Sequence, residues 1–165
     1  MQAMGIRLAN SKKDLDRMTV GCLHLLREEI LRSLMILGEQ SVRRVRDRSG
    51  EDSWYDDTGN LRSSIGYGVY DHSNIIVTSA FEQVKQGSKG SAEGSRMINE
   101  IASEYRKVYA LVVIAAMEYA ELVEAKDNKD VLASTELWAK SKADEYVKKG
   151  IDRAMKKINQ VIATI

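Results

Sequence analysis

The sequence contains no proline, a single cysteine and only two histidines among its 165 residues. Without proline, nothing interrupts a long helix, and turns are left to Gly, Asn and Asp. With Cys22 as its one cysteine, the chain can form no internal disulfide, which fits a reducing compartment. A chain of this length is expected to fold as a single domain, 1–165, that needs neither disulfides nor metal.

Strong net charge and long apolar runs are also missing. The formal net charge is +1, so no overall field draws the protein to nucleic acid or to a membrane. The longest apolar run, Val108–Met117, is about half as long as a membrane-spanning helix. Residues 1–17 lack the apolar segment of a secretion signal. We therefore expect a soluble protein without membrane contact, kept inside a cell or inside a particle assembled there.

A long amphipathic helix dominates the first third of the chain. It is predicted from an N-cap at Ser11 to about Arg48, since apolar residues recur mainly at steps of three or four. This stripe comprises Leu15, Met18, Cys22, Leu26, Ile30, Leu34, Leu37 and Val45. Such a helix is too long for the core of one small domain, so it should cross a sheet or pack on a neighbouring subunit. Residues 1–10 are expected to be a loose tail.

Short segments of mixed type follow this helix. A capped helical turn is predicted to end at Ile65, with Asp57 or Thr58 as its cap. A β-hairpin with strands at 66–70 and 74–79 comes next. The Gly/Ser-rich stretch 86–95 is expected to be a flexible loop.

The remaining segments complete an α+β pattern. A helix is predicted at 96–107, and 108–116, apolar on both alternations, predicts a strand at the sheet centre. A short helix at 117–125, a brief strand at 131–132 and a long helix capped by Thr135 follow. The predicted fold is α+β, with long N-terminal and C-terminal helices packed on a small three- to four-stranded antiparallel or mixed sheet.

No residue set predicts catalysis, a cofactor or a metal. Cys22 lies on the apolar stripe, where an inert, buried thiol is expected. His24 and His72 lack partners at the spacing of a metal site or a catalytic triad. The acidic stretch 51–57 lacks the pattern of a calcium loop, and 87–95 lacks the G-K-[ST] of a phosphate loop. We therefore expect no enzymatic activity and no cofactor.

Basic clusters are the remaining candidates for partner contact. The end of the first helix carries four arginines, and the last helix has a lysine-rich side. A solvated helix face is one interpretation, and contact with phosphate or with an acidic protein surface is the other. A nucleic-acid-associated binding module that uses Arg43–Arg48 is therefore a competing hypothesis. Aromatic residues are not interleaved with this cluster as they are in single-strand binders, so DNA is not otherwise indicated.

Two segments resemble the tail-component, or tail-completion, proteins of long-tailed phages and prophages. Asp57–Ile65 matches the pattern D-T-G-N-L-R-x-S-I, and Tyr119–Glu124 matches Y-A-x-x-V-E, in the order typical of that family. The family often continues V-E-x-G-T, whereas this chain continues Val123-Glu124-Ala125-Lys126. The motif residues are Thr58, Gly59, Asn60, Leu61, Arg62, Ser64, Ile65, Tyr119, Ala120, Val123 and Glu124.

The resemblance implies a structural virion protein of the phage neck, active in tail completion or head–tail joining and not an enzyme. Its partners would be other copies of itself in a ring and the neighbouring neck and tail-tube proteins. It would be assembled in the host bacterial cytoplasm and located in the virion. We expect the motif to be structural, with Leu61 and Ile65 in the core and Arg62 facing outward. The candidate partner contacts are Arg43, Arg44, Arg46, Arg48 and Lys89.

Overall fold

A computed structural model describes residues 11–48, 54–126 and 129–163, and the α+β fold class predicted from the sequence is confirmed. Two long helices lie at the ends of the chain, with a three-stranded antiparallel sheet and shorter helices between them. A turn of 3-10 helix at Ile101–Glu104 follows the third α-helix. In chain order, the elements are α1 (Lys12–Arg46), α2 (Asn60–Ser63), β1 (Ile65–Asp71), β2 (Asn74–Thr78), α3 (Ser88–Glu100), β3 (Tyr109–Ala115), α4 (Ala120–Ala125) and α5 (Ala133–Ala163).

Helix α1 starts at the predicted cap. The Ser11 hydroxyl accepts a hydrogen bond from the Asp14 backbone N–H, and the Asp14 carboxylate accepts one from the Ser11 backbone N–H. This capping box satisfies two backbone donors that a helix start otherwise leaves unpaired. With no proline to stop it, α1 runs for 35 residues, about 52 Å. Its C-terminal half packs on the sheet and buries Leu31, Leu37, Val42 and Val45.

Helix α5 lies antiparallel along α1. The phenol of Tyr146 donates a 2.5 Å hydrogen bond to Gln40, and the Arg44 guanidinium lies 5.5 Å from the Trp138 ring centre. At Gly150 the helices come so close that a Cβ atom would lie 2.7 Å from the backbone oxygen of Glu29. The two helices therefore form one layer that extends from the sheet past its end.

A buried carboxylate joins α1 to α5. Glu29 is 2% exposed and accepts hydrogen bonds from Arg153 at 2.7 Å and Lys157 at 2.5 Å. Arg153 also donates to the Ser33 hydroxyl at 2.8 Å. The hydrogen bond from Lys157, followed by that from Arg153, lowers the pKa of Glu29 below its usual range although burial opposes the shift.

Replacing Glu29 by glutamine should lower the free energy of unfolding at pH 7 by about 2 kcal/mol, less than for a fully buried pair because both cations are partly exposed. A carboxylate with a lowered folded pKa stabilises the fold above its unfolded pKa. That stabilisation is lost as pH falls through the folded pKa. Urea unfolding between pH 7 and pH 2 should therefore show the difference between the two proteins shrinking with acidification. A difference independent of pH would exclude the carboxylate charge as its cause.

The central strand is β1, and the prediction that 108–116 forms the sheet centre is wrong. The strand order is β2-β1-β3, with β1 antiparallel to both neighbours, so β3 lies at an edge. All seven residues of β1 are buried. The sequence predicted a hairpin strand here, but glycine weakens a strand interior, so Gly66 and Gly68 did not indicate a central position. At Gly66 a side chain would overlap the Phe81 ring, which packs against the strand backbone.

Helices cover both faces of the sheet. On the α1 face, Tyr67 and Val69 pack with Val45 and Leu61. On the α3 face, Phe81, Ile98 and Ile114 form a smaller cluster. The Tyr70 hydroxyl donates to the Ile98 backbone oxygen at 2.7 Å, and burial raises the pKa of Tyr70 to about 12. The sheet is thus held between α1 with α5 on one side and α3 on the other.

The prediction of a flexible loop at 86–95 is wrong, because α3 begins at Ser88 and takes in most of that stretch. A Cβ atom at Gly90 would overlap the Asn60 backbone oxygen, and one at Gly94 would overlap the Phe81 ring. The glycines therefore allow α3 to approach α2 and the sheet closely. The helix predicted at 96–107 starts eight residues earlier and ends in the 3-10 turn.

Three smaller predictions also differ from the structure. Val131 is fully buried, but no strand forms at 131–132. Thr135 is the third residue of α5 and is buried, so it is not the cap of that helix. The helical turn after Gly59 ends at Ser63, and β1 already begins at Ile65. The tail predicted at residues 1–10 lies outside the described residues.

Candidate assembly site

The first motif segment forms the turn that connects the end of α1 to the sheet. Gly59 has a φ of +83°, a conformation that favours glycine, and a Cβ atom there would overlap the Val84 backbone oxygen. The Thr58 hydroxyl accepts a 3.3 Å hydrogen bond from the Asn60 backbone N–H. The Asn60 side chain in turn accepts one from the Gly90 N–H at 3.1 Å. This segment therefore sets the entry into β1 and positions α3.

The rest of the first segment is buried. Leu61 is 2% exposed, Ile65 is fully buried, and both belong to the core on the α1 face. The Ser64 hydroxyl donates to the Leu61 backbone oxygen at 2.8 Å, and the Ser63 hydroxyl accepts from the Val84 N–H at 2.8 Å. These small polar residues satisfy backbone groups inside the fold.

Arg62 does not project into solvent as predicted, because its side chain, 24% exposed, folds back to cap the end of α1. Its guanidinium donates to the backbone oxygens of Arg46 and, at 3.2 Å, of Arg48. It also pairs with the Asp56 carboxylate at 3.2 Å, whose side chain is only 6% exposed. The group lies 4.9 Å from the Trp54 ring centre. The planar fork of arginine suits this geometry, because it can serve several acceptors at once.

The second motif segment positions the start of α5. Ala120 is buried, and Val123 packs against the core on the α1 face. One Glu124 oxygen accepts from the backbone N–H groups of Leu132 at 3.2 Å and Ala133 at 2.6 Å. Those donors belong to the beginning of a helix, which has no partner for them within itself. Glu124 therefore supplies the capping role that the sequence assigned to Thr135.

Arg48 joins this arrangement from α1. It donates to the hydroxyls of Ser134 at 2.6 Å and Thr135 at 2.7 Å, and it pairs with the Asp130 carboxylate at 2.7 Å. Burial opposes ionisation of Asp130, yet hydrogen bonds from Ser134 and the charge of Arg48 lower its pKa overall. The two motif segments and the end of α1 thus form one connected structure, which we call the motif junction: 46–48, 54–65, 119–124 and 130–135.

The arginine cluster is consequently divided between the interior and the surface. Arg46 donates to the backbone oxygens of Arg62 at 3.2 Å and Glu82 at 2.8 Å, so it and Arg48 act inside the chain. Arg43 and Arg44 are exposed, with Arg44 against the Trp138 ring. Because half of the cluster is engaged in internal bonds, the basic surface available to phosphate is smaller than the sequence indicates.

Lys89 and Tyr119 lie at a shallow depression over the motif junction. Its volume is about 390 Å³, and Asp56, Asp57 and Asn60 also line it. Lys89 is exposed, and Tyr119 is 38% exposed. Partial burial of the Tyr119 phenol, followed by the nearby charge of Asp56, raises the pKa of Tyr119. Among the described residues no group of three or more His, Cys, Asp or Glu side chains is placed to bind a metal.

The opposite end of the molecule is an exposed helical arm, which we define as residues 12–28 of α1 with 154–163 of α5. No residue of its α1 part is buried. Between the two helices lies a cleft lined by Met18, Cys22, Leu25 and Val161, so Cys22 is half-buried. The arm exposes further apolar side chains to solvent, namely Leu15, Val20, Leu23, Met155 and Ile162.

Trp54, Asp56 and Asp130 are the junction residues that sequence reasoning missed. Trp54 is 1% exposed, and its indole N–H has no hydrogen-bond partner among the described residues. The available signal was that an aromatic and an acidic residue, Trp54 and Asp56, come shortly before the motif arginine, Arg62. The loop that carries them was interpreted as solvated.

No helix within 11–48, 54–126 and 129–163 is both long and apolar enough for a bilayer span. Comparison of the chain with protein-family models, curated proteins and solved structures gives no match.

Proposed function

We propose that this protein is a structural component of a phage neck, acting in tail completion or head–tail joining through self-assembly and protein–protein contacts. It would assemble in the host bacterial cytoplasm and remain in the virion, beside neck and tail-tube neighbours. This role uses no reaction, cofactor or metal. The resemblance of the two motif segments motivates the proposal, and their packing into one motif junction gives both a common structural purpose.

The helical arm is the observation that carries the assembly role. Residues 12–28 extend α1 by about 25 Å beyond its buried half and lie beside α5, with Arg27 at the base of the arm paired to Asp71 at 2.5 Å. Leu23 is 61% exposed and Val20 is 66% exposed, on neighbouring positions of the helix surface. Contiguous exposed apolar surface is typical of protein–protein contact sites. An arm that contributes little to its own core is suited to packing against another subunit.

Native mass spectrometry with the tail-tube protein of the same phage tests the proposal. We expect rings, or complexes with the tube protein, for the unaltered chain. Replacing Leu23 by lysine should abolish them, because it places a charge at the centre of the exposed apolar surface. Thermal stability should change by less than about 0.5 kcal/mol, since Leu23 is exposed.

The matched control is Glu28→Gln, which raises the net charge by the same amount. Residue 28 lies about 140° around the helix from residue 23, so the control alters a different face. Complexes should persist in this variant. If the unaltered chain formed no higher-order complex at any concentration, with or without the tube protein, the proposed function would be wrong.

A further inference from the structure

Within residues 11–48, 54–126 and 129–163, no segment pairs with the outer edge of β3. Strand β3 pairs with β1 without interruption over seven residues, and its sequence, YALVVIA, contains no charge. The opposite edge strand, β2, is shorter and its pairing is interrupted at Val69/Tyr70. Proteins usually block strand edges with bulges, prolines or charges, because unpaired N–H and C=O groups attract another strand. In the part of the chain that the structure describes, the β3 edge has none of these devices.

The ladder geometry shows which backbone groups face outward. The Ala116 N–H donates to Ser64, and the Val108 oxygen accepts from His72, so these two even-numbered residues point toward β1. In an antiparallel ladder the direction alternates along the strand. The N–H and C=O groups of Tyr109, Leu111 and Val113 therefore point away from β1, toward the open edge.

An apolar groove runs along this edge. It has a volume of about 410 Å³, with Leu34 and Leu37 of α1 as its floor. Leu111–Val113 form one wall, and α5 forms the other through Ala139 and Ala143, with the polar residues Thr135, Glu136 and Lys140 also on that wall. Two helices side by side cover about 20 Å, whereas three strands cover about 14 Å. The helical layer thus leaves room for one more strand.

The geometry of the groove restricts what can fill it. A β3 strand from a second copy would bring its own helical layer, which would collide with α5. The occupant must be a single extended segment with no helix beneath it. Within this chain, Met4–Leu8 has the required pattern, because Met4, Ile6 and Leu8 alternate with Gly5 and Arg7. One face of such a strand is apolar and would meet the floor of the groove.

The segment cannot reach the groove of its own chain. Leu34 lies 22 residues after Lys12 in α1, a distance of about 33 Å along the helix. Even fully extended, the eight residues from Met4 to Lys12 span at most about 28 Å. The segment must therefore come from another molecule, whose arm would bring it alongside.

We propose that Met4–Leu8 of one copy binds as a fourth strand at the β3 edge of a second copy, with Ile6 in the groove between Leu37 and Ala139. Backbone hydrogen bonds to Tyr109, Leu111 and Val113 supply the affinity, and the apolar face fixes the register. This inference rests on the self-association part of the proposed function. The exchanged strand would join copies in a head-to-tail contact, which can close into a ring.

Disulfide trapping between two full-length variants tests this strand exchange. In a Cys22→Ser background, one variant carries Ile6→Cys and the other Ala139→Cys. Oxidation of the mixture is expected to give a covalent dimer of the two different chains. The control Arg7→Cys places its thiol on the opposite strand face and should give at least about tenfold less cross-linked dimer, since disulfides require a short Cβ separation. Equal yields from Ile6→Cys and Arg7→Cys would overturn the proposal.

A second measurement needs no new covalent bond. Ile6→Asp should raise the dissociation constant of self-association at least about tenfold, because it places a charge against an apolar floor. Arg7→Asp, which makes a larger charge change on the outer face, should change it less than about threefold. Far-UV circular dichroism of both variants should match that of the unaltered chain, which checks that each variant folds.

The outcomes separate the two proposals. Rings that form without the Ile6–Ala139 cross-link would reject the strand exchange and keep the neck function. In a chain that carries both Ile6→Cys and Ala139→Cys, a cross-link formed within single chains at high dilution would reject exchange between copies. Cross-linked dimers of a chain that forms neither rings nor complexes with tail-tube protein would keep the exchange and reject the neck function. Absence of both self-association and cross-linking would reject the exchange.

Discussion

Replacing Gly90 by alanine is expected to lower the free energy of unfolding by about 3 kcal/mol, even though alanine is the better helix former. The new methyl group would overlap the Asn60 backbone oxygen, and a backbone atom in a motif turn cannot move aside as a side chain tip can. The expected fall in melting temperature is about 9 °C for a chain of this size. Differential scanning calorimetry measures it directly.

Gly21→Ala is the matched control, since Gly21 is also a helical glycine but has open space around it. Here only helix propensity acts, and stability should rise by up to about 1 kcal/mol. If Gly90→Ala lowers the free energy of unfolding and Gly21→Ala raises it, α3 needs glycine at position 90 for close packing with α2. A Gly90→Ala protein as stable as the unaltered chain would contradict the close approach of these two helices.

Replacing Arg62 by alanine should lower the free energy of unfolding by about 3 kcal/mol. The change leaves the nearly buried Asp56 carboxylate without its cation, removes donors from two carbonyl oxygens at the end of α1 and uncovers Trp54. Urea unfolding followed by tryptophan fluorescence reports both the stability and the surroundings of Trp54. The emission of the folded protein should shift to longer wavelength as water reaches the indole.

Two further variants identify the cause of that loss. Arg62→Lys keeps the charge but not the planar fork, so its free energy of unfolding should fall by about half as much as that of Arg62→Ala. In Asp56→Asn the charge pair is already absent, and removing Arg62 as well should cost less than in the unaltered chain. Arg43→Ala, an exposed position of the same cluster, should change stability by less than about 0.5 kcal/mol. Equal losses of stability at Arg43 and Arg62 would contradict the capping role of Arg62.

The elements that the sequence predicted well are those with strong local signals. The capping box at Ser11 and the spacing of the α1 stripe define their helix without help from the rest of the fold. The hairpin is equally local, with its turn at His72 and Ser73, which have φ angles of 50° and 70°. Periodicity and turn chemistry therefore sufficed for the α+β class.

The errors occurred where long-range packing changes the meaning of a residue. Judged from neighbouring residues, the glycines in 86–95 indicate flexibility. In the fold, Gly90 lies against Asn60 and Gly94 against Phe81, so both are required for close packing. Arg62 reads as a surface charge until the end of α1, 16 residues away in sequence, comes within reach. The apolar run in β3 predicted a central strand because both of its faces are apolar. The sequence does not show that one side of this strand lies next to a groove. Contacts between residues far apart in sequence cannot be predicted from neighbouring residues alone.

The pairing of α1 with α5 has a consequence for the order of events during synthesis. Glu29 is separated from Lys157 by 128 positions, and nearly all other elements lie between these two residues. At a translation rate of about 5–20 residues per second, α1 leaves the ribosome at least about 6 s before its partner helix. Its apolar stripe has no α5 to cover it during that interval. We therefore expect contact between the α1 helices of neighbouring nascent chains to compete with correct folding, and a chaperone that binds this chain early to bind α1.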